Sequence, residues 1–348
     1  MFSNRKFNLL VPLFSILLGF LVGAIIMVVF GYSPIDGYTA LWNGAFGNAY
    51  YTGETLRQSI PLALTGLSIA FAFRSGLFNI GAEGQVFVGW LAAVWFGITF
   101  DLPAVIHLPL SILVAALAGA LWAFVPGLLK ATRGVHEVVV TIMMNYIALH
   151  VSNHIIRAYL LESGSRTYRI NESASLRSEF LTDFFSGSQI HWGFIVAIIG
   201  AFIMWFILEK TTYGYELRAV GFNPHAARYA GMSVKKNIIM AMLIAGGFAG
   251  IAGAMEGLGT FGAMHTHAGF SNLGFDGIAV ALLGANTAIG SVLAALLFGA
   301  LKVGSLSMPP VAGVPSELVE IVIAIIIFFV ASSYIIRWAV LRFKKEEK

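Results

Sequence analysis

The sequence predicts an all-α integral membrane protein, and three observations carry that prediction. Of its 348 residues, 58% are hydrophobic and only 11% are charged, against about 45–50% and about 25% in soluble domains. The mean hydropathy is +0.83. So few charges cannot cover a water-facing surface. The apolar residues, secondly, fall into runs near the ~20 residues that a helix needs to cross the hydrocarbon core. Thirdly, the Lys and Arg residues between those runs gather on one side, as the positive-inside bias requires. No polar, low-complexity tract argues for long disorder. Residues 1–348 read as a single transmembrane domain.

The first run, 9–30, follows Arg5 and Lys6. It is too long for a signal-peptide core and lacks a good cleavage site, so it reads as an uncleaved first span. The next candidates are 56–73, 78–98, 105–129, 136–160, 191–208, 237–258, 271–285, 289–304 and 317–337. The eighth and ninth are short enough to be broken or re-entrant, so the expectation is about ten spans. Ten spans put both termini on one side. That side holds fifteen of the 21 basic residues: Arg5, Lys6, Arg74, Lys130, Arg133, Lys210, Arg218, Arg228, Lys235, Lys236, Arg337, Arg342, Lys344, Lys345 and Lys348. The other holds Arg57, Arg157, Arg166, Arg169, Arg177 and Lys302. Both termini are therefore expected in the cytoplasm. The net charge of +4 does not point to nucleic acid, because the basic tail 342–348 reads as an anchor at an anionic lipid surface.

Two connections stand out for length. Residues 162–190 are expected to form a polar external loop, and 210–236 a cytoplasmic one with amphipathic content. In the second, Asn223 followed by Pro224 suits an N-cap and first helical position. A short helix should run over 224–230 and end at Gly231. Its Ala226, Ala227 and Ala230 offer a small-residue face. That face fits either an interfacial connector or a docking helix for a cytoplasmic partner.

Polar residues inside spans are costly and are functional candidates by default. Residues 78–85 combine Asn79, Glu83 and Gln85 with Gly81 and Gly84, just after Gly76. This glycine density weakens a helix and permits an unwound turn. Broken helices of this kind expose backbone groups to a substrate cavity; an interfacial helix start is the alternative. Phe275-Asp276-Gly277 repeats the pattern at the start of the eighth span, which hints at an internal repeat; a plain helix cap is equally compatible. Asn145 and Glu256 are further intrusions, best read as interhelical hydrogen-bonding groups. The run 245–254 contains Gly246 and Gly250 at a spacing that lets helices pack closely.

Several chemistries are absent. There is no cysteine, no G-x-x-x-x-G-K-[ST] phosphate loop and no Gly-x-Ser-x-Gly. The eight histidines show no metal-binding arrangement; His150 and His154 could share a helical face, but no third ligand is identifiable.

Three ordered motifs carry a family resemblance. Glu216-Leu-Arg-Ala-Val-Gly-x-Asn-x-x-Ala-Ala-x-x-Ala-Gly231 resembles the cytoplasmic coupling segment of ABC importer permeases of the branched-chain amino acid, ribose and simple-sugar group. Gly76-Leu-Phe-Asn-Ile-Gly-Ala-Glu-Gly-Gln85 is similar to that group's signature after the second span. Gly274-Phe-Asp-Gly-Ile-Ala-Val-Ala-Leu-Leu-Gly-Ala-Asn286, with Gly290 after it, is similar to the third. With the hydropathy pattern, the resemblance covers nearly the whole chain and is nearest to nucleoside importer permeases.

The resemblance implies a non-enzymatic permease in a bacterial cytoplasmic membrane, with no cofactor of its own. ATP and magnesium would sit on a separate ATP-binding subunit, a second permease chain would share the pathway, and an extracellular lipoprotein would deliver substrate. Glu216, Arg218, Gly221, Asn223, Ala226, Ala227 and Gly231 would couple to the ATPase. A nucleoside would stack on Phe78, Trp90 or Phe275 and hydrogen-bond to Asn79, Glu83 or Gln85, with Asn145 and Asp276 nearby. The alternatives are a permease for ribose or another simple sugar, and an ion-coupled secondary transporter using Glu83, Asp276 or Glu256.

Overall fold

The computed structural model describes residues 5–331. Arg337, the tail 342–348 and the last residues of the tenth predicted span lie outside the described residues. Helices fall on all ten predicted segments: α1 Arg5–Val29, α3 Ala49–Arg74, α4 Ala82–Thr99, α5 Ala104–Arg133, α6 Glu137–Ile155, α8 Gly193–Lys210, α11 Val234–Ala254, α12 Leu273–Leu283, α13 Ala288–Ser305 and α15 Glu317–Ala331. Among the described residues, seven of these stretches are long and apolar enough to cross a membrane, and α12 is a shorter apolar helix.

Three further helices lie outside the predicted segments, α2 Pro34–Phe46, α7 Glu179–Phe184 and α9 Thr212–Phe222, with a short α14 at Met308–Ala312, while α10 Pro224–Tyr229 falls within the short helix expected over 224–230. Helix α2 is readable in hindsight. Ser33 accepts a hydrogen bond from the Asp36 amide, and Pro34 takes the first turn.

Helix α3 is the axis of the bundle. At one end Gly53 abuts Ser188, and at the other Gly76, just past the helix, abuts Gly221. The ends of the molecule are therefore a 162–190 end and a 210–236 end. Helices α4, α5 and α11 pack at backbone distance. A Cβ on Gly119 would lie 2.3 Å from the Gly246 carbonyl oxygen, and one on Gly250 would lie 2.2 Å from that of Ala115. The Gly246 and Gly250 spacing is thus used within the chain.

Residues 162–190 are not a free loop. A two-residue pairing of β1 Leu161–Ser163 with β2 Arg166–Thr167 starts a cap. The Thr167 amide donates to Met264 O, Ile170 to Gly262 O and Leu176 to Leu258 O, at 2.9–3.0 Å. The acceptors lie in and after a π-helical turn, Met255–Phe261, that continues α11.

Two interrupted segments position the centre. After α3 the chain turns at Gly76 (φ +75°) and runs back into the bundle over 77–81 before α4 begins. From the opposite end, residues 262–272 descend to the start of α12. The two meet where a Cβ on Gly274 would lie 2.2 Å from the Glu83 amide nitrogen. Gly277 packs on Thr65, in the middle of α3, so this meeting point is at mid-depth. The third predicted span accordingly begins at Ala82 rather than at residue 78, because the glycines bracketing 77–81 leave that stretch unwound.

Candidate functional site

At the junction, two helix N-termini face one another. Each presents amides that have no acceptor within the helix and a partial positive charge, and Glu83 lies between them, in the first turn of α4. One carboxylate oxygen accepts from the Ser271 hydroxyl at 2.7 Å and the Asn272 amide at 2.9 Å. The other accepts from the Gly274 amide at 2.6 Å. Asn145, on α6, completes the arrangement: its oxygen accepts from the Gly84 amide at 2.8 Å and its nitrogen donates to Ile80 O at 3.0 Å. Asn79 and Gln85 pair reciprocally, amide to amide, at 2.9 and 3.0 Å. All four side chains are buried.

The structure therefore brings Asn79, Glu83, Gln85 and Asn145 together, but commits their polar atoms to holding the interrupted backbone. The predicted aromatics divide. Trp90 is buried, stacks on Phe261 with ring centroids 5.4 Å apart and donates to Ala263 O. Phe78 stacks on Phe73 at 5.0 Å near the 210–236 end. Phe275 alone among them lies at the α12 start, edge-on to Phe270.

Asp276 follows Phe275 and pairs with Lys302 of α13. Both remain partly exposed, 21% for the Asp276 side chain and 30% for Lys302, although both lie on helices of the bundle. Charged side chains in spans face an interior or a watery cavity rather than lipid. Lys302 also lines a cleft of about 360 Å³ with Tyr50, Tyr51, Glu54, Arg57 and Gln58. Arg57 donates to Glu54 at 2.7 Å, and Glu54 also accepts from Ser188 and the Gln189 amide. A cleft of this size accommodates a small organic solute. Sequence reading passed over Tyr50, Tyr51 and Gln58, and took Arg57 and Lys302 only as basic residues of the external side. The signal available was Lys302, a lone lysine in an otherwise apolar 18-residue helix.

At the other end, α9 and α10 form a surface pair. Asn223 caps α10 by accepting from the His225 and Ala226 amides. After Ala230, Gly231 takes φ +83°, and the Met232 amide donates back to Ala227 O, a glycine-terminated helix end. Glu216 faces inward and accepts from the Asn237 side chain of α11 at 3.1 Å. Arg218 donates to Glu209 at 2.9 Å, and Glu209 also binds Arg74 at the end of α3. Burial, with Glu216 beside it, pushes the phenol of Tyr213, in the first turn of α9, up to about 12. Ala227 is buried, and Ala226 is exposed. Phe222 and Tyr229 are 89% and 95% exposed, beside the likewise exposed His225 and Arg228. Sequence reading picked out the alanines here and passed over these two aromatic rings. Among the described residues, no group of three or more His, Asp or Glu side chains is placed to hold a metal.

Comparison with known proteins agrees with this architecture. A family model described as branched-chain amino acid transport system, permease component, matches residues 51–331. The chain is 62% identical over 343 residues, 99% of each protein, to a guanosine ABC transporter permease of Bacillus subtilis, NupP. It is 42% identical to a nucleoside ABC transporter permease of Lactococcus lactis, NupB, covering 96% of this chain and 93% of that one. It is 34% identical to a glucose ABC transporter permease of Haloferax volcanii, TsgB13, covering 92% and 87%. No solved structure matches.

Proposed function

The chain belongs to the branched-chain amino acid transport system permease family, and from that premise we propose that it is the membrane subunit of an ATP-driven importer that carries nucleosides into the cytoplasm. One structural observation carries the transport reading. Lys302 and Asp276 are charged, sit on helices of the bundle and stay partly exposed, which lipid does not tolerate. Their face therefore borders water, between this chain and a second permease chain. Tyr50 and Tyr51, with ring centroids 5.6 Å apart, offer the base a stacking surface. Gln58, Arg57 and Lys302 offer polar contacts for base and ribose.

The junction bears on cargo type. A carboxylate-bearing substrate would be drawn to paired helix N-termini, but Glu83 already occupies that position. This favours an uncharged cargo over an amino acid. The names of the Bacillus and Lactococcus relatives favour a nucleoside, and that of the Haloferax protein keeps a simple sugar as the second reading.

With no phosphate loop in the sequence, ATP and magnesium belong to a separate subunit. We place its docking site on the exposed face of α9 and α10, at Phe222, His225, Ala226, Arg228 and Tyr229. Glu216, Arg218, Gly221, Asn223, Ala227 and Gly231 act behind that face by anchoring and shaping it. This orientation puts the 210–236 end in the cytoplasm and the 162–190 cap toward an external binding protein. About ten spans then cross a bacterial cell membrane, with both termini inside.

The test is reconstitution of the permease with its ATPase subunit and binding protein in proteoliposomes. ATP-dependent accumulation of radiolabelled guanosine, resistant to an uncoupler and to excess ribose, is the expected result. Uptake that ignores ATP and collapses with the uncoupler would instead establish ion coupling. Suppression by ribose or glucose, but not by nucleosides, would establish the sugar reading.

A further inference from the structure

A continuous set of close contacts joins the α9 surface to the middle of the bundle. A Cβ on Gly76 would lie 2.6 Å from the Gly221 Cα, and one on Gly221 would lie 2.7 Å from the Gly76 nitrogen. The backbones of α9 and of the turn after α3 thus touch directly, and no side chain cushions them. From Gly76 the chain runs through only 77–81 before the first turn of α4. Those residues are braced by the Asn79–Gln85 pair and by Asn145 on Ile80 O. Next comes Glu83, whose carboxylate holds three donors, Ser271 and Asn272 just before α12 and Gly274 in its first turn. Two residues further along that helix stands Asp276, paired with Lys302 on the exposed face.

We propose that Glu83 is a positioning residue that couples movement of α9 to the α12 start. Through it, the Asp276–Lys302 face would follow the surface helices. The inference rests on the reading of α9 and α10 as the ATPase docking segment. Each part of the route is stiff. The glycine contact cannot be compressed, the bend is too short to absorb a shift, and two of the three donors on the carboxylate are main-chain amides. Close-packed parts of this kind move between discrete arrangements and do not deform continuously. Glu83 is thus assigned a role apart from substrate contact.

The experiment uses the full chain with its ATPase subunit and binding protein. Because the sequence contains no cysteine, Thr212→Cys at the start of α9 and Ala268→Cys in the descending segment give one clean spin-label pair. Both positions are exposed. In the parent protein, ATP with vanadate should change the label separation. Glu83→Gln keeps size but replaces one acceptor with a donor facing an amide or hydroxyl. The ATPase subunit should still copurify. The separation should then cease to respond to nucleotide, the stimulated-to-basal ratio of ATP hydrolysis should fall to about one, and uptake should drop about tenfold or more.

Ser271→Ala, which keeps both main-chain bonds to Glu83, should produce a smaller loss in all three readouts and serves if Glu83→Gln fails to fold. A Glu83→Gln protein that is less stable but keeps its nucleotide-driven change and its stimulation would overturn the relay and leave only a staple. If the ATPase subunit binds the parent protein equally well after Phe222→Ala and Tyr229→Ala, the docking reading fails instead.

Discussion

Glu83 and Asp276 are both acids close to the start of α12, and their surroundings could hardly differ more. The Glu83 carboxylate is fully buried and accepts three hydrogen bonds, two of them from main-chain amides. Asp276 has one ion-pair partner, Lys302, and both remain open on one side. A buried charge is tolerated when its bonding capacity is filled, so the first acid holds the fold together. A partly exposed pair on membrane helices needs water, so the second marks where the bundle is wet. Sequence proximity to a broken helix identified both acids without separating these roles.

That contrast is open to attack by substitution, and the largest effect belongs to Glu83. Glu83→Ala strands three donors in a dry site, each worth about 1–3 kcal/mol. Purified protein in detergent should lose about 3 kcal/mol or more of stability, read as a lowered unfolding midpoint. An unchanged midpoint would mean that water reaches the junction. Lys302→Met should do the reverse. Its unfolding midpoint should stay close to that of the parent, while uptake falls about tenfold, a barrier change of about 1.4 kcal/mol. If stability collapses with uptake, the face is a structural interface and not a wet one.

At the other end, replacing Phe222 and Tyr229 together by Ala should weaken ATPase subunit binding about tenfold, in line with exposed aromatic anchors at interfaces. Titration calorimetry or pull-down from purified components would check it. The smallest effect is expected for Asn223→Ala, which removes the α10 cap at a cost of about 1 kcal/mol. Binding of the ATPase subunit should weaken severalfold, with the rest of the chain intact by circular dichroism.

The helices were legible because hydrophobic length is a coarse signal that packing rarely overturns. Asn223, Pro224 and Gly231 revealed α10 because cap chemistry is local to the chain. The interrupted start of α4 was legible for the same reason, through Gly76, Gly81 and Gly84. What these polar side chains touch was not legible. Glu83 meets residues almost 190 positions away, and its partners are mostly backbone amides that carry no sequence signature. Arg57 and Lys302 were read only for their charge, because their value depends on which face of α3 and α13 meets water. The 162–190 segment was expected as a polar external loop. Its structure comes from main-chain bonds to 258–266, which composition does not report.

The shortness of α12 has a consequence for how the chain is built into the bilayer. Eleven residues rise about 16 Å, roughly half of a hydrocarbon core about 30 Å thick. Such a segment cannot settle in lipid alone, since its first amides would have no acceptor. Those acceptors stand ready on Glu83, which is synthesised almost 190 residues earlier. Translation from the N-terminus therefore supplies the receptor site before the segment that needs it. The hairpin of α12 and α13, closed by the tight approach of Gly284 to Gly290, can then enter as one unit against a surface already formed.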